Sequence, residues 1–378
     1  MKRWSALFAA FFLLALTVPA RAAEIPLAAD SAVLMEKTTG QILYAKDEHQ
    51  PREPASVTKI MTLLLTMEAI DSGYIAYDDV VTVSGNAASM GGSQVYLAEG
   101  EQITVEELLK SVCVASGNDA AVALGEYVAG TQETFVEKMN EKAAALGMED
   151  THFVNPTGLT APGHLTSAYD IALMSRELIL HHPDIRRFVT IWTDTIRDGS
   201  FGLANTNKLV RYYDGCTGLK TGYTASAGYC ISATAEKEGM ELIAVIMHGK
   251  TADGRNNDAK ALLNYGFSTY TLQKITPEPP LFPLPVRLGT EETVELMLSG
   301  EEDTVFLTKE AAADLQQRAA LPDSVAAPVK KGQTVGSLYV TGGDGTVQQI
   351  PILAARDVAR RTWGQIFGAL VRQTVFLA

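Results

Sequence analysis

From Ser56 to Ile70 the chain is set to form a helix with almost no polar side. Ile60, Met61, Leu63, Leu64, Leu65, Met67, Ala69 and Ile70 fall on nearly every face of a 3.6-residue turn. A helix that is apolar all round is stable only when other elements cover it on every side. The chain therefore needs a layered core, and it has the means: 378 residues, of which 47% are hydrophobic and 20% charged. That length suits two or three domains. The composition excludes a disordered chain and a polytopic membrane protein. A net charge of −13 leaves no basic excess to displace counterions, so nucleic acid is not an expected partner.

Other elements can be read around this helix. Two short apolar runs, 31–36 and 41–46, flank Thr38-Thr39-Gly40 and predict a hairpin. Thr104 and Glu107 form a capping box for a helix facing inward through Val105, Leu108, Leu109 and Val112. Helical patterns cover about 117–147 and 168–182, strands about 217–222, 229–235 and 242–247, and a last helix about 256–272. Pro277, Pro279, Pro280, Pro283 and Pro285 then mark a stiff linker. Alternating runs at 293–298, 304–307, 334–340 and 347–353 predict a small all-β domain over 276–355, with Gly342-Gly343-Asp344-Gly345 as a turn. Cys113, Cys216 and Cys230 leave at least one thiol unpaired, although Cys216 and Cys230 could face each other across neighbouring strands.

The ends differ from the body. Residues 1–22 read as a signal peptide: Lys2 and Arg3, a 15-residue apolar run from Trp4 to Val18, then Ala20-Arg21-Ala22 as the cleavage signal. The run is short of the roughly 20 residues of a membrane span, so export with cleavage is expected. Removing Lys2, Arg3 and Arg21 leaves 28 basic residues against 44 acidic, a charge of −16. Residues 356–378 reverse the sign, with Arg356, Arg360, Arg361 and Arg372 against Asp357. Trp363, Ile366, Phe367, Leu370 and Thr374 keep helical spacing, which predicts a basic amphipathic helix lying on a membrane surface rather than on its own domain.

Several chemistries can be set aside. There is no H-E-x-x-H, no cysteine pair with zinc spacing and no G-x-S-x-G elbow. Three short motifs remain. Ser56-Val57-Thr58-Lys59 is the only S-x-x-K, and it stands at the mouth of the buried helix after Pro54. Serine at a helix start is often only a cap. Here, however, Lys59 is one turn along on the same face, and burial there lowers its pKa until it can serve as a base for Ser56. Ser116-Gly117-Asn118 offers a hydroxyl and an amide at a helix-to-helix corner. It is preferred to the rival Ser84-Gly85-Asn86, which opens a Gly- and Ser-rich loop. Lys220-Thr221-Gly222 lies in a strand, where alternation sets Lys220 and Gly222 on one face; a cation there can bind a carboxylate, and the glycine admits a substrate backbone.

In this order the three motifs are far more specific than any one of them. Together with Tyr223-Thr224 and Asn155-Pro156-Thr157-Gly158-Leu159, they resemble the low-molecular-mass penicillin-binding proteins, the serine D-alanyl-D-alanine carboxypeptidases, over about 30–355. The resemblance implies a mixed α/β catalytic domain of the serine β-lactamase and penicillin-binding-protein type over 23–275, mainly antiparallel sheet with helices, followed by the all-β domain. It implies that Ser56 attacks the terminal D-Ala-D-Ala bond of a peptidoglycan stem peptide, that Lys59 takes its proton, and that Ser116 passes a proton to the leaving amine beside Asn118. The N–H groups of Ser56 and Tyr223 would form the oxyanion hole. Lys220, Thr221 and Thr224 would hold the terminal carboxylate next to Gly222, with Arg255, placed just before the last helix, assisting. β-Lactams would acylate Ser56, and no metal or organic cofactor would be needed. The expected place of work is the outer face of the cytoplasmic membrane. A secreted serine β-lactamase and a non-catalytic penicillin-binding sensor or wall-binding protein are the rival readings. With every motif before residue 260, a chain ending after Ala354 is expected to keep its activity.

Overall fold

The computed structural model describes residues 25–299 and 303–368. The expected signal peptide and the end of the expected C-terminal helix lie outside these residues. The catalytic region is built on a five-stranded antiparallel sheet in the order Ile42–Lys46, Ser31–Glu36, Met240–Gly249, Gly228–Lys237, Cys216–Thr224. Both faces of its centre are covered, which is why the stretch 242–247 reads as an unbroken apolar run. Ile243, Val245 and Met247 enter the core on one side, and Leu242, Ala244 and Ile246 enter the core on the other. The first core is helical. Lys59–Asp71 lies within it, with ten of its thirteen residues buried, among Val105–Val114, Asn118–Ala129, Gln132–Ala145 and Ala168–His181. The second core sits under Ala252–Thr269.

The expected hairpin and capping box are both present. The helix expected over 117–147 is two helices, because Gly130 takes φ +85° and Thr131 caps a new start. The last helix begins earlier than expected, at Ala252, because Thr251 caps it, and Arg255 consequently lies inside its first turn. Cys216 stands opposite Ala235 and Cys230 opposite Gly222, so the two thiols are at different ends of the strand pair, and all three cysteines are free.

The second domain is all-β, with a four-stranded sheet in the order Leu296–Leu298, Val347–Ala354, Thr334–Thr341, Gln316–Ala320. A three-stranded sheet joins Thr293–Val294, Leu284–Arg287 and Val325–Ala326. Leu284–Arg287 was hidden within the proline-rich stretch. The boundary at 275 is also not a simple linker: Tyr270–Lys274 pairs antiparallel with Thr304–Thr308, and Phe306 of the second domain packs into the core beneath Ala252–Thr269. The helix expected from 356 is corrected as well. Residues 356–361 are not helical: Val358 pairs with Val329 and is buried, Arg360 bridges Gly289, and Arg356 forms an ion pair with Glu291. The backbone turns helical only at 363 and stays so to 368.

Candidate active site

Ser56 sits in a single 3-10 turn, Ala55–Thr58, that runs directly into the buried helix Lys59–Asp71. Ala55 has φ +48°, a left-handed conformation that costs a non-glycine residue about 1–3 kcal/mol and persists only where the surroundings impose it. Two glycines make room for the neighbours that impose it. A Cβ on Gly158 would lie 1.8 Å from Ala55 O, and a Cβ on Gly222 would lie 2.9 Å from both Pro54 O and Ser56 N. The strand Cys216–Thr224 is therefore pressed against the turn of the serine at the position just before Tyr223. Behind the turn, buried His164 accepts the Val154 N–H on Nδ1 (3.0 Å), which leaves Nε2–H to donate to Thr58 Oγ1 (2.8 Å). Burial pushes this imidazole down to about 4 and keeps it neutral.

Lys59 is completely buried, and its Nζ has three neighbours: Ser56 Oγ at 2.9 Å, Asn118 Oδ1 at 2.6 Å and Thr157 O at 2.8 Å. The last two are carbonyl oxygens and can only accept. A neutral amine has two N–H bonds, and these satisfy both carbonyls, so the remaining lone pair meets the Ser56 hydroxyl. Burial first, and the nearby Lys220 charge second, hold Lys59 well below the ordinary lysine range. Asn118 is fixed in this orientation because its Nδ2 donates to Gly91 O at 2.6 Å.

Ser116 also has positive φ, +62°, at the corner between two buried helices, and Lys220 Nζ donates to its Oγ at 2.8 Å. Burial lowers Lys220 to about 7, with the Arg255 charge adding to the effect. The structure thus gathers Ser56, Lys59, Ser116, Asn118, Lys220 and Gly222 into one site. Rival Ser84 instead caps a four-residue helix and donates to Glu126. The remaining expected residues are placed differently. Thr221 donates to Thr206 Oγ1 at 2.7 Å. Thr224, four residues and roughly 13 Å along the strand from Lys220, accepts the Ala227 N–H and lies at the end of the strand away from that lysine. Arg255 donates to Asn256 Oδ1 and Cys230 O, and it acts on the motif residue Lys220 through its charge.

Several contributors were not singled out from sequence. Thr157 supplies a carbonyl from a turn in which Asn155 Oδ1 accepts the N–H groups of Thr157 and Gly158. The turn is legible as Asn-Pro-x-Gly, but its target is 98 residues away. Buried Asp119 accepts the N–H groups of Val95 and Leu97, and Arg197 donates to the carbonyls of Val95 and Tyr96. Together they clamp the loop that carries Gly91 and Ser93 to Asn118.

Residues 18–251 match a family model described as D-alanyl-D-alanine carboxypeptidase, and residues 282–360 match one described as the penicillin-binding protein 5 C-terminal domain. The chain is 42% identical over 346 residues to D-alanyl-D-alanine carboxypeptidase DacF of Bacillus subtilis, covering 90% of this chain and 88% of that one. Its fold is similar to penicillin-binding protein 5 of Haemophilus influenzae, with a TM-score of 0.76 and 30% identity over 89% of this chain and 98% of that one. It is also similar to penicillin-binding protein D2 of Listeria monocytogenes in its ampicillin-bound form, with a TM-score of 0.60 and 31% identity over 65% of this chain and all of that one.

Proposed function

Because the chain belongs to the D-alanyl-D-alanine carboxypeptidase family and is a serine-type enzyme of that activity, we propose that Ser56 is its nucleophile and that the two lysines divide the proton work. The observation that carries this reading is the contact of Lys59 Nζ with Ser56 Oγ at 2.9 Å, in a setting where both other neighbours of the amine are acceptors. Neutral Lys59 takes the hydroxyl proton as Oγ bonds to the carbonyl carbon. The N–H groups of Ser56 and Tyr223 hold the oxyanion; losing one such donor typically costs about 10²–10³ in rate. The intermediate collapses as the D-Ala amine leaves with the proton of Ser116, which is resupplied by the Lys220 ammonium. Water then attacks the ester and sends its proton through Ser116 to Lys220, while Ser56 recovers its own from Lys59, so the cycle closes.

The substrate is read as a peptidoglycan stem peptide, its terminal carboxylate lying towards Lys220 and Thr221. A β-lactam would occupy the same place and leave its acyl group on Ser56. The protein is read as exported and held on the outer face of the cytoplasmic membrane by its C-terminal segment. That reading is supported by Trp363 and Phe367, one helical turn apart and 86% and 69% exposed, next to Arg360 and Arg361. To test the chemistry, the exported protein is incubated with an acyl-D-Ala-D-Ala peptide and with penicillin. Free D-Ala together with an acyl group on Ser56 is the expected result. Rapid penicilloate without D-Ala would make the protein a β-lactamase, and stable labelling alone would make it a sensor. An acyl group on Ser84 or Ser116 would overturn the assignment of Ser56.

A further inference from the structure

Three segments that build the site also meet outside it, at one carboxylate. Glu53 lies three residues before Ser56 and is half-buried. Its Oε2 accepts Ser226 Oγ–H at 2.5 Å and Thr160 Oγ1–H at 3.0 Å. The two hydroxyls are 3.2 Å apart, and Thr224 Oγ1 is 3.3 Å from that of Ser226. Ser226 belongs to the turn that follows the K-T-G strand, and Thr160 belongs to the loop whose Thr157 carbonyl holds Lys59. Among the described residues nothing donates to Oε1 and no salt bridge reaches the group; His164, on which its charge acts, is kept neutral by burial. The carboxylate is thus oriented by neutral donors on one oxygen while its charge and its other oxygen remain unmatched.

The direction of the substrate places this group. Cys216–Thr224 is an edge strand, so its outer side is open to a substrate backbone. On the reading above, the leaving residue lies towards Lys220 and Thr221, and the scissile carbonyl lies at Tyr223 N. The acyl-donor side of the peptide must then continue past Tyr223 towards Thr224 and Ser226. Leu159, 37% exposed, directly precedes Thr160 in the same loop, and its Cδ2 is 3.5 Å from where a Cβ on Gly92 would be.

We propose that Glu53 is a specificity residue, resting on the carboxypeptidase reading: it binds the free primary amine on the side chain of the residue that precedes D-Ala-D-Ala. The enzyme thereby favours stem peptides in which that amine is still unacylated, as it is before cross-linking. Thr160 and Ser226 hold the carboxylate in place, and the amine supplies the missing charge on Oε1. Such a pair at a partly exposed site is worth roughly two- to fivefold in kcat/KM.

The test uses two peptides that differ only at that amine, acyl-Lys-D-Ala-D-Ala and the same peptide with its lysine ε-acetylated, with D-Ala release as the readout. The wild-type protein is expected to prefer the free amine by roughly two- to fivefold. Glu53→Gln is expected to bring the ratio of the two kcat/KM values close to one. Glu53→Lys is expected to turn the preference towards an ε-succinylated lysine. Penicillin labelling reports separately whether each variant is folded. No preference in the wild type, or an unchanged ratio in a Glu53→Gln variant that still takes penicillin, would overturn the proposal. Absence of D-Ala from both peptides with the wild-type protein would overturn the carboxypeptidase reading beneath it.

Discussion

Lys59 and Lys220 are the same residue type at the same depth of burial, yet their partners give them different tasks. Lys59 faces two carbonyl acceptors and a hydroxyl, whereas Lys220 faces Ser116 Oγ and the Thr221 carbonyl. Lys59→Arg should cost about 10²–10⁴ in D-Ala release, because a guanidinium has no lone pair to offer Ser56. Lys220→Arg preserves the charge that holds a carboxylate but cannot pass a proton to Ser116, so KM should hold while kcat falls. Near-normal turnover in Lys59→Arg would remove Lys59 from the base role. The pH profile follows from the same pair. Lys220 is lowered to about 7, so in the free enzyme it loses its charge as the pH rises through that value. A bound carboxylate favours the charged form and raises the pKa in the complex. Hence kcat/KM should fall above about pH 7 while kcat holds to higher pH. Parallel profiles for the two would show that substrate does not contact this charge. Sequence reveals Lys59 because an S-x-x-K at the mouth of an apolar helix is a local pattern, and Lys220 because its K-T-G falls in a strand-like run. It does not reveal the Thr157 carbonyl, because a backbone oxygen carries no residue signature.

The elements that were legible are those whose own pattern decides them. The buried helix after Ser56 and the capping box at Thr104 follow from periodicity and local hydrogen bonding. The exposed strand Gln316–Ala320 has no apolar face to announce it, and pairing with Thr334–Thr341 defines it instead. Glycines show the same division between local and distant causes. Gly158 and Gly163 have φ of +82° and +81°, but a Cβ on Gly158 would strike Ala55 O whereas nothing lies within 4 Å of Gly163. Gly163→Ala should therefore cost only the backbone penalty, about 1–2 kcal/mol, and retain penicillin labelling. Gly158→Ala should displace the turn of Ser56 and abolish labelling. Thermal melts with a labelling assay on both variants check this, and equal behaviour of the two would mean that the turn does not depend on the contact.

At the scale of the molecule, the two-domain plan and the position of the chemistry could be read from the proline cluster and the motif order, but the limits of the second domain could not. The segment after Ala354 is part of that domain: Val358 fills its core, the Thr290 N–H donates to the Ala359 carbonyl, and the Arg361 N–H donates to the Leu288 carbonyl. A chain cut after Ala354 should lose these contacts and melt at a lower temperature than one cut after Arg361. Both should still release D-Ala. Only the full-length protein should sediment with anionic vesicles, and equal sedimentation of all three would remove the tail as an anchor. The five-residue pairing of Tyr270–Lys274 with Thr304–Thr308 has a mechanical meaning. Two connections, one covalent and one of sheet hydrogen bonds, join the domains, so the catalytic half cannot swivel on the prolines between them. If the far end rests on a membrane, as proposed, the second domain would act as a strut of set length. Substrate would be sought in a thin layer at one height within the wall, and lengthening the strut, rather than loosening it, would move that layer outward.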